Sequence, residues 1–263
     1  MLKKLMKYDF VWIFKVLVYH TTILLVVAAL GRLISPLAPR SMFWSITDSV
    51  FLSLTIAAAC SLFFTAFMRS AARYINNTYK DESYLTHTLP VTRGQQYTSK
   101  VFSSVLVLLV SLVVCLIATA ICNSYKNRWE MVKHYLSDPQ YRTLILLFVL
   151  VVVLQIVCML LCTLAGATFG YRKGSHKLLH SLLCILLIYV ITQGIMVGVI
   201  FLISRFDSGV AMLFTTSTRS MMEFLTDPIS TRICWILAAE YIVANVALFF
   251  LGKRALEKGV NVD

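Results

Sequence analysis

Glu240 stands within "WILAAEYIVANVALFF" and is the one carboxylate well inside a long apolar run. Exposing an acid to lipid is costly, so such a residue marks either a transport path or a structural hydrogen bond to a neighbouring helix. His176 and His180 are four residues apart, a spacing that lets two imidazoles share a helix face as metal ligands do. No carboxylate lies near them in sequence, and the pair reads as two histidines at the end of a span. The seven cysteines, Cys60, Cys115, Cys122, Cys158, Cys162, Cys184 and Cys234, lie in or beside apolar segments and form no C-x-x-C. They read as small buried hydrophobes. The chain has no G-x-x-x-x-G-K-[ST], no H-E-x-x-H and no G-x-S-x-G. We therefore expect no metal site, no bound cofactor and no enzymatic activity in this chain.

The elements that hold these residues are set by composition. Hydrophobic residues make up 59% of the chain and charged residues 14%, against about 25% charge in a soluble domain. The charges are clustered, which leaves uncharged runs near the roughly 20 residues that cross a bilayer. The expected class is an all-α integral membrane protein, with residues 1–263 forming a single six-span transmembrane domain. The spans are expected at about 12–34, 46–68, 101–122, 143–168, 180–203 and 232–251. Helices are preferred to a barrel because the runs are continuous rather than alternating. Trp12, Trp44, Tyr141 and Trp235 sit near the run ends, as interfacial aromatics do.

Net charge is +12. The bases flank apolar runs, so orientation and anionic headgroups account for them and no nucleic-acid partner is expected. With the N-terminus inside, 15 lysines and arginines fall on the inner side and 9 on the outer. That bias puts both termini in the cytoplasm, and the chain is expected in the plasma membrane as a multi-pass protein. The opening "MLKKLMKYDFVWIFK" reads as an interfacial helix, with Leu2, Leu5, Met6, Trp12 and Ile13 toward lipid and Lys3, Lys4 and Lys7 toward headgroups. The outer segment "SRFDSGVAMLFTTSTRSMMEFLTDPIST" is too apolar for a solvated loop and reads as a re-entrant hairpin before span six. Gly166 with Gly170, and Gly194 with Gly198, form two G-x-x-x-G motifs, which serve packing within a subunit as readily as dimerisation.

The polar stretch between spans two and three is patterned. After Asp81, "ESYLTHTL" makes about two helical turns with Tyr84, Leu85, Thr88 and Leu89 on one face and Ser83, Thr86 and His87 opposite. Pro90 ends that helix. Thr92 followed by Gln95 reads as a capping box that starts a new helix near Arg93. Two turns are too short to persist alone in water, so an amphipathic piece at a membrane face reads as a docking surface.

The stretch "YLTHTLPVTRGQQYTSK" resembles the first cytoplasmic loop of ABC-2-class ABC transporter permeases. In that family a coupling helix between spans two and three precedes a Leu-Pro or Thr/Ser-Pro step and a Ser/Thr-Arg start to span three. Tyr84, Leu85, Thr88, Leu89, Pro90, Thr92 and Arg93 stand in those places. Asp81 departs from the pattern, since a glycine is frequent there. The resemblance implies a non-catalytic membrane subunit of an exporter for an amphipathic cargo such as a peptide, drug or lipid-like molecule. It also implies two copies of a separate P-loop ATPase carrying ATP and Mg, and a second membrane subunit, identical or homologous. The alternatives are a proton-coupled secondary transporter using Glu240 and a non-transporting membrane sensor or scaffold.

Overall fold

No glycine or proline stands between Leu2 and Leu30, so nothing in that stretch interrupts a helix once it has started. The computed structural model describes residues 2–80, 83, 90–122, 130, 133, 135–172, 176–207, 210 and 228–258. The chain begins with one unbroken helix, α1 (Leu2–Ile34). The interfacial helix expected at the N-terminus is thus not a separate element but the first turns of span one. Ile13, expected against lipid, is 1% exposed. At 1.5 Å per residue α1 is about 50 Å long, well beyond the roughly 30 Å hydrocarbon core.

A 3-10 segment (Ser35–Arg40) carrying Pro36 and Pro39 follows. The remaining helices are α2 (Met42–Tyr79), α3 (Arg93–Cys122), α4 (Pro139–Gly170), α5 (Lys177–Ser204) and α6 (Pro228–Glu257). Among the described residues six helices are long and apolar enough to cross a membrane, at the places expected from sequence. The described residues thus form an all-α, multi-pass membrane protein. In lipid this is the economical solution, because each helix satisfies its own backbone. The helices fall into two compact units, residues 1–134 and 135–263.

In the first unit α1, α2 and α3 pack pairwise. The inward stripe of α1 is Asp9, Ile13, Leu17, Leu24, Ala28 and Gly31, steps of three, four and seven that keep one helix face inward. The side chains buried on its neighbours include Ala59, Leu62 and Ala66 of α2 and Tyr97, Val101, Val107 and Leu108 of α3. A Cβ on Gly31 would lie 2.9 Å from Cys122 Sγ and 3.3 Å from Phe51 Cβ, so the three helices approach one another closely there. The Cys115 thiol donates to the Ala59 carbonyl at 3.4 Å, a second tie between α2 and α3.

In the second unit α4 packs against both α5 and α6, which touch each other only slightly. The first glycine motif is spent on this packing. A Cβ on Gly166 would come within 2.6 Å of the Ile185 backbone, and one on Gly170 within 2.2 Å of Ser181 Cα. Gly194 and Gly198 have nothing within 4 Å of such a Cβ. Asn245 Nδ2 donates to the Leu154 carbonyl at 3.0 Å and so ties α6 to α4. His176 precedes α5 with φ 49°, so it stands off the helix rather than on a face shared with His180. Of the outer segment read as re-entrant, its central residues 211–227 lie outside the described residues, while Val210 is helical and buried.

These contacts separate the two glycine motifs. Gly170→Leu should lower the thermal midpoint of the purified chain by several degrees, because overpacking against backbone costs about 1–3 kcal/mol or more. Gly198→Leu should leave it within a degree. Equal midpoints for the two variants would remove the close approach of α4 and α5.

Candidate functional site

The site begins with a local exchange of hydrogen bonds. The Gln95 amide donates to Thr92 Oγ1 at 3.3 Å, and the Thr92 amide donates to Gln95 Oε1 at 3.3 Å. Two donors at the start of α3 are satisfied reciprocally, which is the capping box read from sequence. It fixes the first helical residue as Arg93. Pro90, Thr92 and Arg93 are all exposed at this end of the unit. Tyr84, Leu85, Thr88 and Leu89 lie outside the described residues.

Behind the cap the helix turns polar residues inward. Gln96, Ser99, Lys100, Ser103 and Ser104 are buried, as are Ser70, Asn77 and Thr78 of α2. Tyr74 packs edge-on against Tyr97 at 6.1 Å and Tyr79 at 6.0 Å, joining the end of α2 to the start of α3. Ser83, placed by the pattern on the polar face of its helix, is 3% exposed, and its amide donates to the Lys80 carbonyl at 2.7 Å.

At the centre of this end lies Asp9. Its Oδ1 accepts from Lys100 Nζ at 2.6 Å and from Arg73 Nε at 3.1 Å. The three side chains are 1%, 3% and 13% exposed, in the order Asp9, Lys100, Arg73. Asp9 Oδ2 is buried without a hydrogen-bond partner among the described residues. The guanidinium groups of Arg69 and Arg73 lie 4.6 and 4.8 Å from the centre of the Trp12 ring, within cation–π range. Sequence reading counted Arg73 and Lys100 only as orienting charges and did not single out Asp9. The available signal was phase: Asp9 stands four residues before Ile13 and eight before Leu17, on the buried stripe.

Glu240 is part-buried on α6, with Oε2 buried and unpartnered among the described residues. Its neighbour Tyr241 donates to Met196 Sδ on α5 at 3.4 Å. Asn245, just over one turn further, leaves its Oδ1 buried and unpartnered. No cluster of three metal-ligating side chains occurs among the described residues.

No family model, no curated protein and no solved structure matches this chain.

Two measurements bear on these groups. Thr92→Ala should speed amide exchange at Gln95 by roughly 5- to 30-fold, the equivalent of the ~1–2 kcal/mol that a cap contributes, whereas Thr92→Ser should not. Equal exchange in both variants would show that the hydroxyl does not cap α3. Glu240→Leu should raise the thermal midpoint, because it removes a buried unpaired acceptor that costs about 1–3 kcal/mol. A fall of several degrees would show instead that the carboxyl holds the helices together.

Proposed function

We propose that this chain is the membrane subunit of an ABC transporter, an exporter of an amphipathic cargo. Two copies of a separate P-loop ATPase carry ATP and Mg and dock on the coupling stretch beginning at Asp81. The chain itself performs no covalent chemistry. A second membrane subunit, identical or homologous, completes the cargo path. Both termini face the cytoplasm of a plasma-membrane protein.

The observation that carries this reading is the architecture at the start of α3. A reciprocal cap immediately after Pro90 fixes where the helix begins, and a buried polar base beneath it joins α2 to α3. A plain connector needs neither. A surface that receives force from a docked partner needs a rigid seat, and cap plus base supply one. The resemblance of "YLTHTLPVTRGQQYTSK" to the permease loop gives that partner its chemistry.

One observation favours a second reading. The Glu240 oxygen, buried and unpartnered among the described residues, is what a proton-coupled secondary transporter would use. On that reading the chain alone, in liposomes, would move protons without any ATPase.

Docking decides between them. Burying one large side chain contributes roughly 1.5–3 kcal/mol, and burying a charge in its place costs more. Leu85→Asp should therefore insert normally yet lose at least tenfold of the vanadate-sensitive, Mg-ATP-hydrolysing activity that co-purifies with the tagged native chain. Undiminished activity in a Tyr84→Asp/Leu85→Asp double variant would reduce the stretch to a connector.

A further inference from the structure

One carboxylate oxygen holds three helices at the end of unit one that carries the coupling stretch. Asp9 Oδ1 on α1 accepts from Arg73 on α2 and from Lys100 on α3. Arg73 lies seven residues before Lys80, where the chain leaves α2, and Lys100 lies eight residues after Thr92, where it enters α3. The two cations therefore sit on the two helices that flank the stretch, one on each side. α1 has no such covalent link to the stretch. Its connection runs through Asp9, through Trp12 beside Arg69 and Arg73, and through the apolar stripe of Ile13 and Leu17.

We propose that Asp9 is a positioning residue for coupling, which makes α1 follow α2 and α3 when the stretch between them is displaced. This rests on the reading of that stretch as an ATPase-docking surface. The apolar stripe resists separation of the helices but tolerates slip, because dispersion and area burial have little direction. The ion pair does not tolerate slip. At 2.6 Å and 3% exposure, a one-turn movement of α3 would carry Lys100 Nζ out of reach of Asp9 and break a buried ion pair.

The geometry also leaves room for a smaller step. Both cations use Oδ1, while Oδ2 is buried and unpartnered among the described residues. Transfer of one cation from Oδ1 to Oδ2 preserves the pair. It matches the 1–2 Å helix shifts by which packed interfaces switch. Asp9 thus offers two positions of equal chemistry to the helices bound to it. Buried ion pairs serve specificity better than stability, so a neutral replacement of the whole network should fold yet lose the linkage.

The experiment uses the full chain purified with its native ATPase from a background lacking native thiols. Spin labels at the exposed Lys7 and Phe102 report the α1–α3 distance. With Asp9, and with Asp9→Glu, the distribution should be narrow and should shift when Mg-ATP and vanadate are added. In the triple variant Asp9→Asn/Arg73→Gln/Lys100→Gln the complex should stay monodisperse and hydrolyse Mg-ATP. Its distribution should be broad, and the nucleotide-driven shift should shrink at least threefold. A narrow distribution that shifts fully in the triple variant would overturn the proposal and leave the docking reading standing. A wild-type chain that retains no ATPase would overturn the docking reading and the coupling role with it.

Discussion

With two cations turned inward, the native first unit buries an acid between its three helices. Lys100 and Arg73 lie on inward faces of their helices, and a buried cation without a counter-charge is strongly unfavourable. Asp9 supplies that charge, and several features follow from it. α1 cannot end at the membrane surface, because its first turns must reach in beside α2 and α3. The start of α3 cannot drift, because Lys100 must keep its phase relative to Asp9. The Thr92–Gln95 cap fixes that start, so a local hydrogen-bond exchange and a long-range ion pair enforce the same register.

The two units solve helix association in lipid by different means. Between helices in a bilayer the hydrophobic effect supplies little, and packing and polar contacts must do more. Unit one uses charge, aromatic edges and thiol or hydroxyl contacts, as in Asp9–Lys100, Tyr74–Tyr97 and Thr55–Cys122. Unit two uses backbone proximity, with Gly166 and Gly170 seated on Ile185 and Ser181. Among the described residues its polar ties include Asn245 to Leu154, Tyr241 to Met196, and an Arg232–Asp207 pair of the solvent-facing kind that contributes little.

What could be read from sequence was what is local. The spans follow from run length and the scarcity of charge, and the capping box follows from residue types three apart, so both were legible. The glycine motifs were half legible: spacing shows that Gly170 and Gly198 are able to admit a neighbour, but only the fold shows that Gly170 has one. The Asp9 network was not legible, because its partners are 64 and 91 residues away. The interfacial helix was misread for a related reason. An amphipathic start looks alike whether its apolar face meets lipid or two other helices, and Ile13 meets helices. Glu240 was legible as an anomaly, since an acid in an apolar run stands out in composition alone, but the burial of its Oε2 without a partner among the described residues was not.

α2 has 38 residues with neither glycine nor proline among them. Helices kink at such residues, so α2 is close to a continuous rod, softened only by hydroxyls such as those of Thr47, Ser53 and Ser70 that bond back to their own helix. Its length is about 57 Å at 1.5 Å per residue. Such a rod, pivoting near its middle, is a lever: a tilt of about 10° moves each end by roughly 5 Å, in opposite directions. Arg73 rides on one arm and the Ser41 cap on the other. A displacement that arrives beside Asp9 therefore reaches the far face of the membrane with its sign reversed and its size undiminished. No chain of rearranging side chains is needed in between.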